Sequence, residues 1–277
     1  MRHVAWIRVA TLFAAALSLA TLAAAADRPR NGQWVWSAAD RDRFTTARRE
    51  RADLVPAIWV ATIDWRDGAV AMRKANAPTL VPDASNVALV VRFDDGFHAA
   101  WDSDADRLAT QVADKLTALL TRCEQLGVRP LEIQLDYDAP VRRLRQWATL
   151  LHRLHDGALA GRAVWITSLP AHMSEPRYGA WLRGAVDGHI LQLFDTGPAL
   201  GSAAAERLAD TVAAQRLPFR VGVGTFERRR RGAAAPATEH GAWIAALPLF
   251  ARQPGFGGVW VFPAGLRWSP ALLAHIE

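Results

Sequence analysis

One cysteine in 277 residues, Cys123, excludes an intramolecular disulfide. An oxidising compartment permits disulfides without requiring them, so export stays open. Cys123 lies in a stretch with apolar residues at helical spacing, 109–125, which makes it a core thiol rather than a nucleophile. Lysine is almost as scarce. Only Lys74 and Lys115 occur, and arginine carries nearly all of the formal charge of +6. That excess is mild for this length. Its one run, Arg228–Arg231, lacks interleaved aromatics, so it reads as a solvated loop and no nucleic-acid partner is expected. An acidic glycan or phosphate is the charged partner that the run leaves open. No linker, low-complexity tract or internal repeat divides the sequence either, which favours one domain over the two that length would allow.

What is present begins with a charged segment, Met1–Arg8, followed by an apolar Ala/Leu-rich run, Val9–Ala26. The run ends in Ala24-Ala25-Ala26 before Asp27-Arg28-Pro29, the layout of a secretory signal peptide with a small-residue cleavage site. An uncleaved membrane anchor is the alternative, but alanine is only weakly lipophilic. No cysteine near the junction suggests a lipoprotein. The expectation is a signal peptide over 1–26, a periplasmic or secreted protein, and no membrane association after cleavage. Residues 27–277 approach the ~250 residues of one (β/α)8 barrel.

With 51% hydrophobic residues the chain has ample material for a core. The stretch LEIQLDYD, 131–138, has a period of two. Leu131, Ile133, Leu135 and Tyr137 share one face; Glu132, Gln134, Asp136 and Asp138 share the other. Seven further short apolar stretches read as strands: 34–38, 54–65, 86–93, 163–169, 189–194, 219–226 and 258–262. Helical patterns occupy 109–125, 141–155, 178–185, 203–215 and 238–250, while those between the first three strands are weak. Alternation of strand and helix indicates a parallel sheet, and eight strands in this length fit a closed (β/α)8 TIM-like barrel. Acids recur at strand C-terminal ends: Asp64, Asp94, Asp95, Asp136, Asp138, Asp195 and Glu227. A barrel gathers these positions at one mouth, where barrel enzymes carry their chemistry.

The segments QLDYDAPVRRL (134–144) and WITSLPAHM (165–173) resemble a bacterial family, domain-of-unknown-function family 3142. That resemblance implies a glycoside-hydrolase-like barrel and no established activity. More distantly, the fourth strand is similar to that of the chitinase-like, family 18, glycosidases, which carries three acids at alternate positions with a Glu last as proton donor. The matching positions are Gln134, Asp136 and Asp138, so Gln replaces the first acid and Asp138 replaces the Glu. Gln192 to Asp195 resembles an aromatic-Asp pair of those enzymes, and Trp260 matches their floor tryptophan.

Asp136 and Asp138 lie roughly 7 Å apart at their Cα atoms on one strand face. Two carboxyls so close, partly desolvated, split their pKa values, as glycoside hydrolysis requires. Asp138 is the expected general acid and Asp136 its electrostatic partner; a structural pair capped by N–H groups or arginines is the alternative. Glu227 is a second carboxylate candidate or a salt-bridged loop acid. Asp64, Asp94, Asp95, His172, Gln192 and Asp195 are candidate substrate contacts, although a lone His is more often structural. Among the twelve tryptophans, Trp65, Trp260 and Trp268 are placed to stack on a sugar ring. RFDDGFH also resembles the Phe-Asp-Asp-Gly motif of polysaccharide deacetylases, but their His pair is matched only by His152 and His155, three apart. The expected function is an exported glycoside hydrolase-like protein acting on a polysaccharide. The alternatives are a non-catalytic glycan-binding barrel and a metal-dependent deacetylase. A carbohydrate partner is expected, with no cofactor and no bound metal.

Overall fold

The computed structural model describes residues 30–81, 86–194, 201–224 and 239–262. Eight parallel strands close into a barrel: β1 (Gly32–Val35), β2 (Val55–Arg66), β4 (Ala88–Phe93), β5 (Glu132–Asp136), β6 (Val164–Ser168), β7 (Gly188–Gln192), β8 (Phe219–Gly224) and β9 (Phe256–Phe262). Closure is made by β1, which pairs in parallel with β2 on one side and β9 on the other. All eight expected strands are present, and the fold is the (β/α)8 type.

Five helices follow the apolar periodicity or come close to it: α2 (Ala105–Gln125), α3 (Leu144–Asp156), α4 (Tyr178–Leu182), α5 (Ser202–Ala214) and α6 (Glu239–Ala251). Asp104 caps α2 by accepting the Arg107 N–H at 2.8 Å. In α2, Leu108, Val112, Leu116, Leu119, Leu120 and Cys123 are buried along one stripe. Burial also pushes the Cys123 thiol pKa up, as befits an inert core thiol.

The gaps between the first three barrel strands depart from the βαβ pattern in two ways. Between β1 and β2 lies α1 (Ala38–Glu50), whose sequence AADRDRFTTARRE buries only Asp40 and Phe44. Its start is set by a cap, in which the Asp40 N–H meets Ser37 Oγ and the Ser37 hydroxyl donates to Asp40 Oδ2 at 2.8 Å. Between β2 and β4 there is an antiparallel strand, β3 (Ala69–Lys74), instead of a helix. The hairpin turns through Asp67 and Gly68, with φ of 51° and 76°. An Asp-Gly pair tolerates that left-handed backbone and matches the strand twist.

Alternation divides the barrel strands into two cores. Outward residues such as Phe93, Ile133, Leu135, Tyr137 and Ile166 pack with the helices. Inward residues Trp34, Val55, Ala57, Ala88, Val90, Trp165, Ile190, Trp260 and Phe262 fill the lumen. At the lumen floor, Arg220 makes a bidentate pair with Glu132, at 2.6 and 2.9 Å, and both side chains are almost fully enclosed. The Arg220 guanidinium lies 3.5 Å from the Trp165 ring centroid and 5.0 Å from that of Trp260. Gln134 donates to Glu132 Oε1 at 2.8 Å, one level higher. The lower part of the polar column on β5 is therefore an internal ion-pair network.

Candidate functional site

The column ends at the mouth. Glu132, Gln134 and Asp136 are buried, and Asp138, one step beyond β5, is exposed. Asp136 Oδ1 accepts the Thr167 hydroxyl at 3.0 Å and a longer contact from Gln192 Nε2 at 3.4 Å. Thr167 is held in the donating orientation because its oxygen accepts the Tyr137 backbone N–H at 3.0 Å. Tyr137 is fixed in turn on the outside, where its phenol oxygen lies 2.7 Å from Trp101 Nε1 and from His98 Nδ1. Three strands thus converge on one carboxyl oxygen.

Burial first, and the neighbouring Asp138 charge second, push the Asp136 carboxyl up to about 7. Arg92, Thr167 and Gln192 pull the other way. Both hydrogen-bond donors address Oδ1, so a proton on this carboxyl sits on Oδ2. Asp136 is therefore a carboxylic acid that stays protonated towards neutral pH beside a second, exposed carboxyl. A carboxyl raised in this way is one that acid–base chemistry can use.

The other mouth residues have distinct surroundings. Asp64 accepts the Trp65 N–H and the Arg66 guanidinium, both at 2.8 Å. The Arg66 bond holds the Asp64 carboxyl below the usual carboxylate range. Gly96 packs so tightly on Asp64 that any side chain there would run into the carboxylate. Asp94 caps a short 3-10 turn by accepting the Asp95 N–H and also meets Arg73 at 3.3 Å; Asp95 is exposed. His172 uses both ring nitrogens internally. Its Nδ1 accepts the Leu169 N–H at 3.2 Å, and its Nε2–H donates to the Ala139 carbonyl at 2.8 Å. Burial lowers its pKa to about 4, so the ring is neutral. His172 thereby ties the loop after β6 to the loop that carries Asp138. Trp260 is fully enclosed over Arg220 and against Gly32, one level below the mouth. Trp65 is half-buried beyond the rim, while Glu227, Asp195 and Trp268 lie outside the described residues.

His152 Nε2 lies 3.0 Å from the Trp181 carbonyl. No three of His, Cys, Asp and Glu gather into a metal-binding cluster among the described residues.

Several mouth residues escape notice in the sequence. Trp36 and Trp59 are half-buried with ring centroids 5.1 Å apart, and Trp36 continues to Trp34 at 5.7 Å, nearly parallel. Trp34 meets Phe262, which meets Phe194. These aromatics form an arc that runs from Trp59 to Phe194, two residues beyond Gln192. Arg92 projects from β4 with its guanidinium 5.5 Å from the Trp36 ring. Strand parity could have found Arg92 and Thr167: each lies two residues from an inward neighbour, Val90 and Trp165.

The family model for a domain of unknown function, DUF3142, matches residues 84–224, half of the chain. The chain belongs to the DUF3142 family. The match runs from just before β4 to the end of β8 and so includes Arg92, Asp136, Asp138, Thr167, His172 and Gln192.

No curated protein matches this DUF3142 sequence. Its fold is shared with glycoside hydrolases of the chitinase type. The spore cortex-lytic enzyme SleL of Bacillus cereus superimposes with a TM-score of 0.60 at 14% identity, over 90% of this chain and 74% of that one. A class V chitinase from Pseudomonas fluorescens gives 0.60 at 15% identity, over 90% and 98%. The family 18 chitinase ChiB from the chitin utilization locus of Flavobacterium johnsoniae gives 0.57 at 12%, over 90% and 93%. At these identities the likeness is one of fold.

Proposed function

We propose that this DUF3142 chain is an exported glycoside hydrolase-like protein that acts on a polysaccharide by carboxylate acid–base catalysis. The observation that carries the reading is Asp136. It is a buried carboxyl kept protonated towards neutral pH, next to exposed Asp138, at the mouth of a barrel shared with glycoside hydrolases. Near neutral pH the two carboxyls hold one proton between them. Asp138, the outer of the two, delivers it to the leaving glycosidic oxygen as that bond breaks. Asp136 is then left ionised and held by Thr167 and Gln192, and the pair regains its proton from the water that adds to the glycosyl carbon. Gln192 and Thr167 keep Asp136 aimed, and the aromatic arc supplies a flat wall for the sugar rings. The N-terminal pattern of 1–26 supports export.

The experiment is the Asp138→Asn variant on a glycan that the wild type cleaves. The turnover rate should fall by ~100-fold or more, the scale of a positioned acid. An undiminished rate removes Asp138 from the chemistry.

A second reading, a glycan-binding barrel without turnover, is favoured by Asp138 itself, which is one methylene shorter than the Glu donor of the family 18 pattern. Binding across a glycan panel with no product from any of them would select it. Release of reducing ends from one glycan would eliminate it.

A further inference from the structure

Arg92 is a charged residue at the mouth that the acid–base reading leaves unused. It sits on the inward face of β4, with Thr62 of β2 and Asp136 of β5 as its register neighbours. Its surroundings differ from those of the other mouth and lumen arginines. Arg66 is paired with Asp64, Arg73 with Asp94, and Arg220 with Glu132. Among the described residues, no carboxylate or carbonyl oxygen accepts a hydrogen bond from the Arg92 guanidinium. The half-buried side chain instead lies over the Trp36 ring.

Trp36 supplies an independent sign. Among the described residues its buried Nε1–H finds no acceptor, and neither does that of Trp34, stacked against it. Burying a donor without a partner costs ~1–3 kcal/mol, so such donors point to a missing acceptor. Asp136, the nearest acid to Arg92 on the neighbouring strand, keeps its proton towards neutral pH and leaves the positive charge largely uncancelled. Among the described residues, this corner of the mouth therefore holds more donors than acceptors and the Arg92 charge.

We propose that the Arg92–Trp36 corner is a carboxylate-binding subsite and that the polysaccharide taken by this barrel carries acidic sugars. A carboxylate is anionic and accepts only, and its planar pair of oxygens matches the guanidinium fork. Trp36 and Trp59 give the hexose ring that bears it an apolar face to lie on. The inference rests on the reading of the mouth as a glycan site and adds the class of glycan.

The test is calorimetric titration of a panel of hexuronate oligosaccharides, each beside its carboxyl-reduced neutral counterpart. The wild type should bind at least one acid form about tenfold or more tighter than its reduced form, with the gap narrowing as salt is raised. Arg92→Gln should abolish that preference, and Arg92→Lys, which keeps the charge, should recover part of it. Equal binding of acid and reduced forms overturns the proposal. So does a preference unchanged in Arg92→Gln, or no binding of any acid form at millimolar concentration. Product release, followed in the same samples, separates this from the hydrolase reading. Arg92-dependent binding without bond cleavage keeps the subsite and removes the hydrolase. Cleavage of a neutral glycan at the same rate in Arg92→Gln does the reverse.

Discussion

Thr167 donates its hydroxyl to Asp136 from 3.0 Å and accepts the Tyr137 backbone N–H at the same distance. One side chain thus joins β5 to β6 just where the polar column reaches the mouth. The bond favours the ionised form of Asp136, against the burial that favours the acid. Replacing Thr167 with Val keeps the shape and deletes the donor. A hydrogen bond of ~0.5–1.5 kcal/mol corresponds to roughly 0.4–1 pH unit. The pH–rate limb governed by Asp136 should move up by that amount in Thr167→Val. A limb that stays in place would show that Thr167 does not tune this carboxyl.

Asp136 also sets a pH dependence of stability. Its folded pKa of about 7 lies above the ordinary 3.8 of the unfolded chain. Between those values the folded state binds more protons than the unfolded one. Its contribution is fully present below the unfolded pKa and is lost as pH rises through the folded one. Asp136→Asn cannot lose that proton. Relative to wild type, the variant should gain a few kcal/mol between pH 4 and pH 8, because each pH unit separating the two pKa values is worth ~1.4 kcal/mol. Urea unfolding at the two pH values measures it, and a constant difference would contradict the raised pKa.

His172 acts in the opposite sense. Its folded pKa of about 4 lies below the ordinary 6.5. The stability it contributes is present above the unfolded value and is lost as pH falls through the folded one. His172→Phe removes two hydrogen bonds and the titration together. The variant should be less stable at pH 7, by ~1–3 kcal/mol, with the deficit shrinking towards pH 4. Because Ala139 follows Asp138, the turnover number should also fall, with the pH–rate limbs unmoved. A variant with full turnover would make His172 a packing residue only.

The floor pair Glu132–Arg220 serves the barrel and not the mouth. Glu132→Ala leaves the enclosed Arg220 charge unpaired and should cost ~3–5 kcal/mol, read by denaturant unfolding. Replacing both residues with apolar ones of similar volume should recover much of the loss. Failure of the double replacement to recover would mean that the Trp165 and Trp260 packing needs the guanidinium itself.

The parts of the fold that were legible have regular periods. The eight barrel strands and the helix over Ala105–Gln125 announce themselves because burial on one face leaves apolar residues at every second or every third to fourth position. α1 does not, because its start rests on the Ser37 cap and it buries one large side chain, Phe44. β3 was legible in part: Asp67-Gly68 between alternating residues is a hairpin signal, masked by the expectation of a helix after every barrel strand.

For the site, strand parity sufficed for Asp136 and Asp138, whose alternation carries the column from buried Glu132 to the exposed rim. It could not tell what meets what across the barrel. Arg220 is 88 residues from Glu132, and Gln192 is 56 from Asp136. Such pairings depend on which strands close beside which.

The chain's local patterns by themselves determined the eight barrel strands and the inward face of β5, because side-chain periodicity is a local consequence of burial. Only the tertiary structure decided that Glu132 is neutralised at the floor while Asp136 keeps its proton. It also decided that His172 is spent on holding a loop, and that the Arg92 guanidinium lies over the Trp36 ring. Charge state and hydrogen bonding follow from neighbours brought together across the barrel, and spacing along the sequence carries no record of those distances.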